Sequence, residues 1–210
     1  MKLIAHRGLT NENIKENTLE AFINAIENNY DGIELDIRLT KDKKIVVLHD
    51  KLINRTSDGK GNINNLTYNE VLKYNFGTKK KKSKIPLLST IIERIHNKTI
   101  IIELKEKIEL IDLENILNKN KTNYYYICSF NKSYIDNLKG TRYKLGLINY
   151  VFNSKIEFKD YNFLLILESL FNENIFEFLK NKEIEPIIYG IKNNISLKNK
   201  EILNEIKYIV

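Results

Sequence analysis

Gly32-Ile33-Glu34-Leu35-Asp36-Ile37 is the stretch on which the fold turns. Side chains alternate across a strand, so Glu34 and Asp36 share one face while Ile33, Leu35 and Ile37 share the other. A solvated strand would put its charges outside, but this one is apolar enough to be covered. If the isoleucine face packs on helices, two carboxylates stand side by side inside a closed sheet. Thr99-Ile100-Ile101-Ile102-Glu103-Leu104-Lys105 repeats the pattern, with Glu103 and Lys105 on the face of Ile101. Both stretches read as buried strands with polar residues towards their C-terminal ends.

Working outward, further short apolar runs rich in Ile, Val and Tyr lie at residues 3–6, 45–49, 124–129, 144–148, 163–167, 185–190 and 208–210. Amphipathic segments separate most of them. Among these the spacing predicts a helix opening at Asn17 as N-cap, with Glu20 three positions on, a stripe of Leu19, Phe22 and Ile26, and an end at Asn28-Asn29. Alternation of this density implies parallel strands, and about eight units imply a (β/α)₈ barrel of the TIM type. Two details disturb it. Arg38 to Lys44 is too short for a crossover helix, and nine strands exceed eight, so one of the later ones is expected to be surplus. A doubly wound open sheet is the alternative. Residues 50–85 carry turn residues (Asp58, Gly59, Gly61) and little strand pattern. They are expected to form a cap-like insertion between the third and fourth strands, with residues 1–210 forming one domain.

Composition bounds the function. The chain of 210 residues has 42% hydrophobic content and a formal charge of +7, enough apolar matter for a core. Only Arg7, Arg38, Arg55, Arg94 and Arg142 are arginine, and the remaining cations are lysine in a chain equally rich in Asn and Ile. That trio follows from base composition, so a nucleic-acid partner is not expected, although a positive field favours an anionic substrate. The run Lys79 to Lys82, with Lys84, reads as a solvated loop. Cys128 stands alone, which excludes an intrachain disulfide. No signal-like or membrane-spanning apolar segment occurs, and a cytoplasmic location is the expectation.

The chemistry sits at strand ends. Three carboxylates with water suit a hard cation, Mg²⁺ or Ca²⁺, although Lys105 would also allow a plain salt-bridge layer. His6 and His49 end apolar runs, where barrel enzymes build their sites, and an imidazole pair can divide general acid and general base work. Arg7 offers a bidentate fork to a phosphate. His96, on a helical pattern, reads as a surface residue.

In order and spacing, "IAHRG" (4–8), "ENTLEAFINAIENNYDGIELDIRLTKDKKIVVLHD" (16–50), "INRTSDGKGNINNLTYNEV" (53–71), "IPLL" (85–88) and "IIIELK" (100–105) resemble the glycerophosphodiester phosphodiesterase family. That family is a TIM barrel. By the resemblance, His6 and His49 match its catalytic histidines, Glu34, Asp36 and Glu103 its metal ligands, and Arg7 and Lys105 its phosphate-contacting cations. The resemblance implies hydrolysis of a small glycerophosphodiester to glycerol 3-phosphate and an alcohol. The closest alternative on that scaffold is a lysophospholipase D, which allows transient membrane contact. The likeness thins after Lys105. Ser129-Phe130 is similar to a family dipeptide, the family's Trp-Thr-x-Asn stands here as Tyr189-Gly190-Ile191-Lys192, and its closing Gly-Ile-Ile-Thr-Asp is reduced to Lys207-Tyr208-Ile209-Val210. Lys15 replaces the family's Pro before Glu16-Asn17-Thr18.

Overall fold

A computed structural model describes residues 1–149, 157–190, 202 and 204–210. Nine strands occur among them: β1 (Lys2–His6), β2 (Gly32–Leu39), β3 (Ile45–Val47), β4 (Thr99–Leu104), β5 (Tyr124–Ser129), β6 (Lys144–Asn149), β7 (Phe163–Leu167), β8 (Glu185–Tyr189) and β9 (Tyr208–Ile209). Eight of them pair in parallel around a closed ring, β1-β2-β4-β5-β6-β7-β8-β9, with β9 returning to β1. β3 is the exception. It folds back antiparallel on the end of β2, with Ile37 opposite Val47 and Leu39 opposite Ile45. The short Arg38–Lys44 connection is therefore a hairpin, and the surplus strand is this early one rather than a later one. His49 accordingly lies beyond the end of β3, not within it.

The alternation of β2 is realised in the packing. Ile33, Leu35 and Ile37 are fully buried in the layer between barrel and helices, together with Phe22, Ile91, Leu113 and Leu179. Those residues come from α1 (Leu19–Glu27), α3 (Leu88–Arg94), α4 (Leu110–Leu117) and α5 (Glu173–Asn181). Inside the barrel, Ile4, Ile101, Tyr126, Phe163, Leu165 and Ile187 form a second apolar cluster. Gly146 of β6 is required there, because a Cβ would lie 2.4 Å from the Phe163 ring. No helix among the described residues is long and apolar enough to cross a membrane.

α1 begins one residue later than the spacing predicts. Thr18 is its N-cap, its Oγ1 accepting a hydrogen bond from Ala21 N at 3.2 Å, and Asn17 stays outside the helix. Its end at Asn28-Asn29 is as expected, with Asn29 in the left-handed region at φ 63°.

The 50–85 segment is no bare loop. Ile53, Ile63, Val71, Phe76 and Ile85 form a separate cluster with Val46 and Leu48, around the short helix α2 (Tyr68–Val71). Thr67 and Glu70 close a capping box on α2. Lys79, Lys80, Lys81, Lys82 and Lys84 are exposed, as a solvated run should be.

Candidate active site

Register brings the acids together. Asp36 of β2 lies opposite Glu103 of β4, and Glu34 of β2 lies opposite His6 of β1. Glu34, Asp36 and Glu103 are all buried, and each offers an oxygen within 4.8 Å of the others. Burial, then Asp36 and Glu103, push the Glu34 carboxyl well above the usual carboxylate range. Glu103 is pushed up to about 7, first by burial and then by Asp36. Burial also acts on Asp36, but Lys105 and then Arg7 outweigh it and hold that group below its ordinary value. Protein cations thus settle one carboxylate and leave two that resist ionisation. A hard divalent cation fits this donor set, since it would supply the missing positive charge and takes carboxylate oxygens by preference.

Asp36 has the most partners. Lys105 Nζ lies 3.1 Å from its Oδ1, Arg7 Nε lies 3.3 Å from its Oδ2, and Asn17 Nδ2 donates to Oδ2 at 2.8 Å. Lys105 also donates to Glu103 Oε1 at 2.5 Å. Arg7 and Asn17 both occupy the left-handed region, at φ 57° and 55°. Non-glycine residues rarely do, and such strain collects where a side chain must be aimed. Arg7 N donates to Glu34 O at 3.0 Å and to Glu34 Oε2 at 3.1 Å, so the bend that ends β1 also orients a carboxylate.

The two histidines face the acids from different elements. His6 Nε2 lies 3.8 Å from Glu34 Oε2, and its ring is half exposed. Partial burial first, then the adjacent Arg7 cation, lowers the His6 pKa. His49 is fixed from behind. Its Nδ1 and Asp50 Oδ1 are 2.6 Å apart, and Arg55 first, then His49, hold the Asp50 carboxyl far below its ordinary value. An ionised carboxylate can only accept, so the proton sits on Nδ1 of His49 and Nε2 is left for chemistry. Arg38 Nε donates to His49 O at 2.8 Å and secures the backbone after β3.

An ion-pair chain joins these parts. Arg55 binds Asp50 at 2.6 Å and Glu16 at 2.8 Å, and Glu16 accepts from Arg7 at 3.0 Å. His49 is thereby linked through Arg55, Glu16 and Arg7 to Asp36. Asn17, Glu16, Asp50 and Arg55 were not among the residues expected from sequence. The one signal for them is position: Asp50 follows the expected His49, and Glu16-Asn17 opens the segment leading into α1.

His6, Arg7, Glu34, His49, Glu103 and Lys105 line one cavity of about 160 Å³, and Asp36, fully buried, supports them from beneath. All seven residues expected from sequence are therefore brought together. The opposite wall is apolar: Phe130, Ile148, Leu165, Tyr189 and Val210. Among the described lining residues none comes from positions 51–85, so the insertion flanks the cavity rather than roofing it. It lies at the correct end, since Lys15 Nζ reaches Thr56 O at 3.3 Å and Arg55 reaches Asp50. His96 is exposed, near Asn120 at 2.9 Å, and takes no part.

Residues 6–155 match the Glycerophosphoryl diester phosphodiesterase family. A glycerophosphodiester phosphodiesterase of Caldanaerobacter subterraneus subsp. tengcongensis is 35% identical over 160 residues, covering 70% of this chain and 65% of that protein. One from Bacillus altitudinis is 40% identical over 114 residues, covering 51% and 46%. The chain thus spans between about half and two thirds of the length of these curated relatives. Among solved structures, a glycerophosphodiester phosphodiesterase from Thermotoga maritima shares 27% identity at a TM-score of 0.81, covering 100% of this chain and 93% of that one. An Oleispira antarctica phosphodiesterase in complex with its product sn-glycerol-3-phosphate has a TM-score of 0.88 at 23% identity, covering 100% and 92%. At that identity the likeness concerns the fold.

Proposed function

Since the chain belongs to the glycerophosphoryl diester phosphodiesterase family, we propose that it hydrolyses glycerophosphodiesters to glycerol 3-phosphate and an alcohol, with help from a divalent metal. The observation that carries this is one small cavity bounded by two histidines, two cations and buried carboxylates. Glu34, Asp36 and Glu103 would hold Mg²⁺ or Ca²⁺, which when bound supplies Lewis-acid charge at a non-bridging phosphate oxygen. Arg7 and Lys105 add fixed positive charge where charge develops on the phosphoryl group. One of His6 and His49 takes the proton of the attacking oxygen, from water or the substrate's own 2-hydroxyl, and the other protonates the leaving alkoxide. Asp50 keeps the Nδ1 proton of His49 in place, so that Nε2 is the atom that exchanges.

The apolar wall of Phe130, Ile148, Leu165, Tyr189 and Val210 bears on a second reading, cleavage of lysophospholipids. A human lysophospholipase D is 37% identical over 114 residues, covering half of this chain. A cavity of about 160 Å³ suits a glycerophosphoryl group but no acyl chain within it, which favours the deacylated substrate.

The test is release of the alcohol from a panel of glycerophospho-alcohols, with glycerol 3-phosphate as the other product, and from their acylated counterparts, with acyl glycerol phosphate as the other product, each with and without chelator. Release from the deacylated series that stops on chelation and returns with added metal is the expected result. Undiminished turnover after chelation would remove the metal role, and faster turnover of the acylated series would replace the first reading by the second.

A further inference from the structure

Another cavity lies at the other mouth of the barrel. It measures about 490 Å³ and is lined by the residues that begin β1, β5, β6 and β9, namely Lys2, Tyr124, Lys144 and Tyr208, together with Arg142 and Lys207. Chemistry in barrels of this kind sits at the C-terminal ends of the strands, so this mouth is free of the proposed reaction. Its volume is within the roughly 300–1,000 Å³ typical of small-molecule sites.

Its lining is one-sided in charge. Lys2, Arg142, Lys144 and Lys207 contribute four cations, and no carboxylate is among the described lining residues. Lys2 and Lys144 have no carboxylate partner among the described residues, and Glu185 lies 3.9 Å from Lys207. Arg142 donates one N–H to Asn118 Oδ1 at 2.8 Å and also interacts with Tyr143. Like charges gathered round a concavity repel one another, and an anion would relieve that. The remaining surface is aromatic. Tyr124 is 67% exposed at the rim, whereas Tyr143 and Tyr208 are buried with Arg142 5.3 Å and Lys207 5.0 Å from their ring centres. A flat ring would stack on the exposed Tyr124 while the cations nearby bind phosphate, whereas an inorganic anion would use only the second feature.

We propose that this N-terminal mouth is a second, non-catalytic site that binds a small organic phosphate carrying a flat ring, of the nucleoside monophosphate class.

The experiment is calorimetric titration of the full chain with AMP, adenosine and inorganic phosphate, with saturating glycerol 3-phosphate present to occupy the catalytic cavity. AMP is expected to bind roughly tenfold or more tightly than either part alone. The double variant Arg142→Glu with Lys144→Glu should lose that binding while turning over glycerophosphodiesters at the wild-type rate, and His49→Ala should do the reverse. Should the double variant fail to turn over, the single Lys144→Gln variant carries the same comparison with a milder change. AMP binding no tighter than inorganic phosphate overturns the ring recognition. AMP binding that persists in a turnover-competent variant, or is absent from the wild type, overturns the site.

Discussion

Arg7 leaves β1 with φ at 57°, and this unfavourable geometry sets His6 on one side of the bend and the Glu34 contacts on the other. Single-residue chemistry of this kind was legible in sequence only where a residue type is rare. Three histidines and strand-end acids are conspicuous, and all seven expected residues meet at one place. Asn17 was read as a helix cap because Asn, Asp, Ser and Thr all cap well, and only the fold shows Thr18 capping while Asn17 reaches Asp36. Asp50 and Arg55 escaped because ion pairs across five residues have no periodic signature. Two predictions belong at this scale. Replacing His6 or His49 by alanine should lower kcat by roughly 10² or more. A p-nitrophenyl ester, whose leaving group needs no proton, should rescue the acid variant alone, and near wild-type kcat in both variants would remove the pair from the mechanism. Asp50→Asn should lower kcat by on the order of 10-fold or more with little change in KM, because the substituted amide carries no charge to fix the Nδ1 proton. Asp50→Glu should restore part of it. Equal loss in both variants, tracking thermal stability, would mean that Asp50 is merely structural.

Elements were legible to the extent that their periodicity was undisturbed. β2 and β4, buried on both faces, declared themselves through apolar runs, and α1 through its stripe. β3 misled because a run of apolar residues does not tell a parallel barrel strand from a hairpin arm. The insertion misled differently: its cluster is built from isolated residues such as Ile53, Ile63 and Phe76, spaced irregularly around turns. Shortening it between Asn62 and Lys82 would remove Ile63, Val71 and Phe76, each buried, so a substantial fall in Tm is now expected. Removing only the exposed Lys79–Lys82 run should leave Tm nearly unchanged. Arg55 is one tie of the insertion to the barrel, and its contribution depends on pH. Arg55 chiefly depresses Asp50, while burial raises Glu16 but Arg55 and Arg7 outweigh it. Carboxyls depressed by folding add stability above their unfolded pKa values of about 4, and that stability is lost as pH falls through the folded values. Arg55→Ala should therefore lower Tm at pH 7, and the gap to wild type should narrow below about pH 4. A gap independent of pH would show that Arg55 contributes by packing alone.

For the molecule as a whole, the question is how a two-residue strand closes a barrel. Two residues, Tyr208 and Ile209, make β9. That strand pairs on both sides: Tyr208 with Lys2 and Ile187, Ile209 with Leu3 and Ile188. Lys2 N donates to Lys207 O at 2.7 Å, and Val210 N donates to Ile188 O at 2.8 Å. The run at 208–210 and a closed barrel were legible in sequence, but the pairing was not, because it depends on strands far away in the chain. Truncation after Glu205 tests it. The cut removes Ile206, Tyr208 and Ile209, all buried, and Val210 from the apolar wall of the catalytic cavity. At roughly 1.5–3 kcal/mol for each buried side chain the loss is on the order of 5 kcal/mol, comparable with the whole stability of an ordinary domain. The edges of β1 and β8 would also be left unpaired, and such edges recruit other chains. The truncated protein should therefore melt far below the full chain and associate in size-exclusion chromatography, with turnover lost through the open wall. A truncated protein that ran as the full chain does and kept its Tm within a few degrees would show that the barrel holds without its ninth strand.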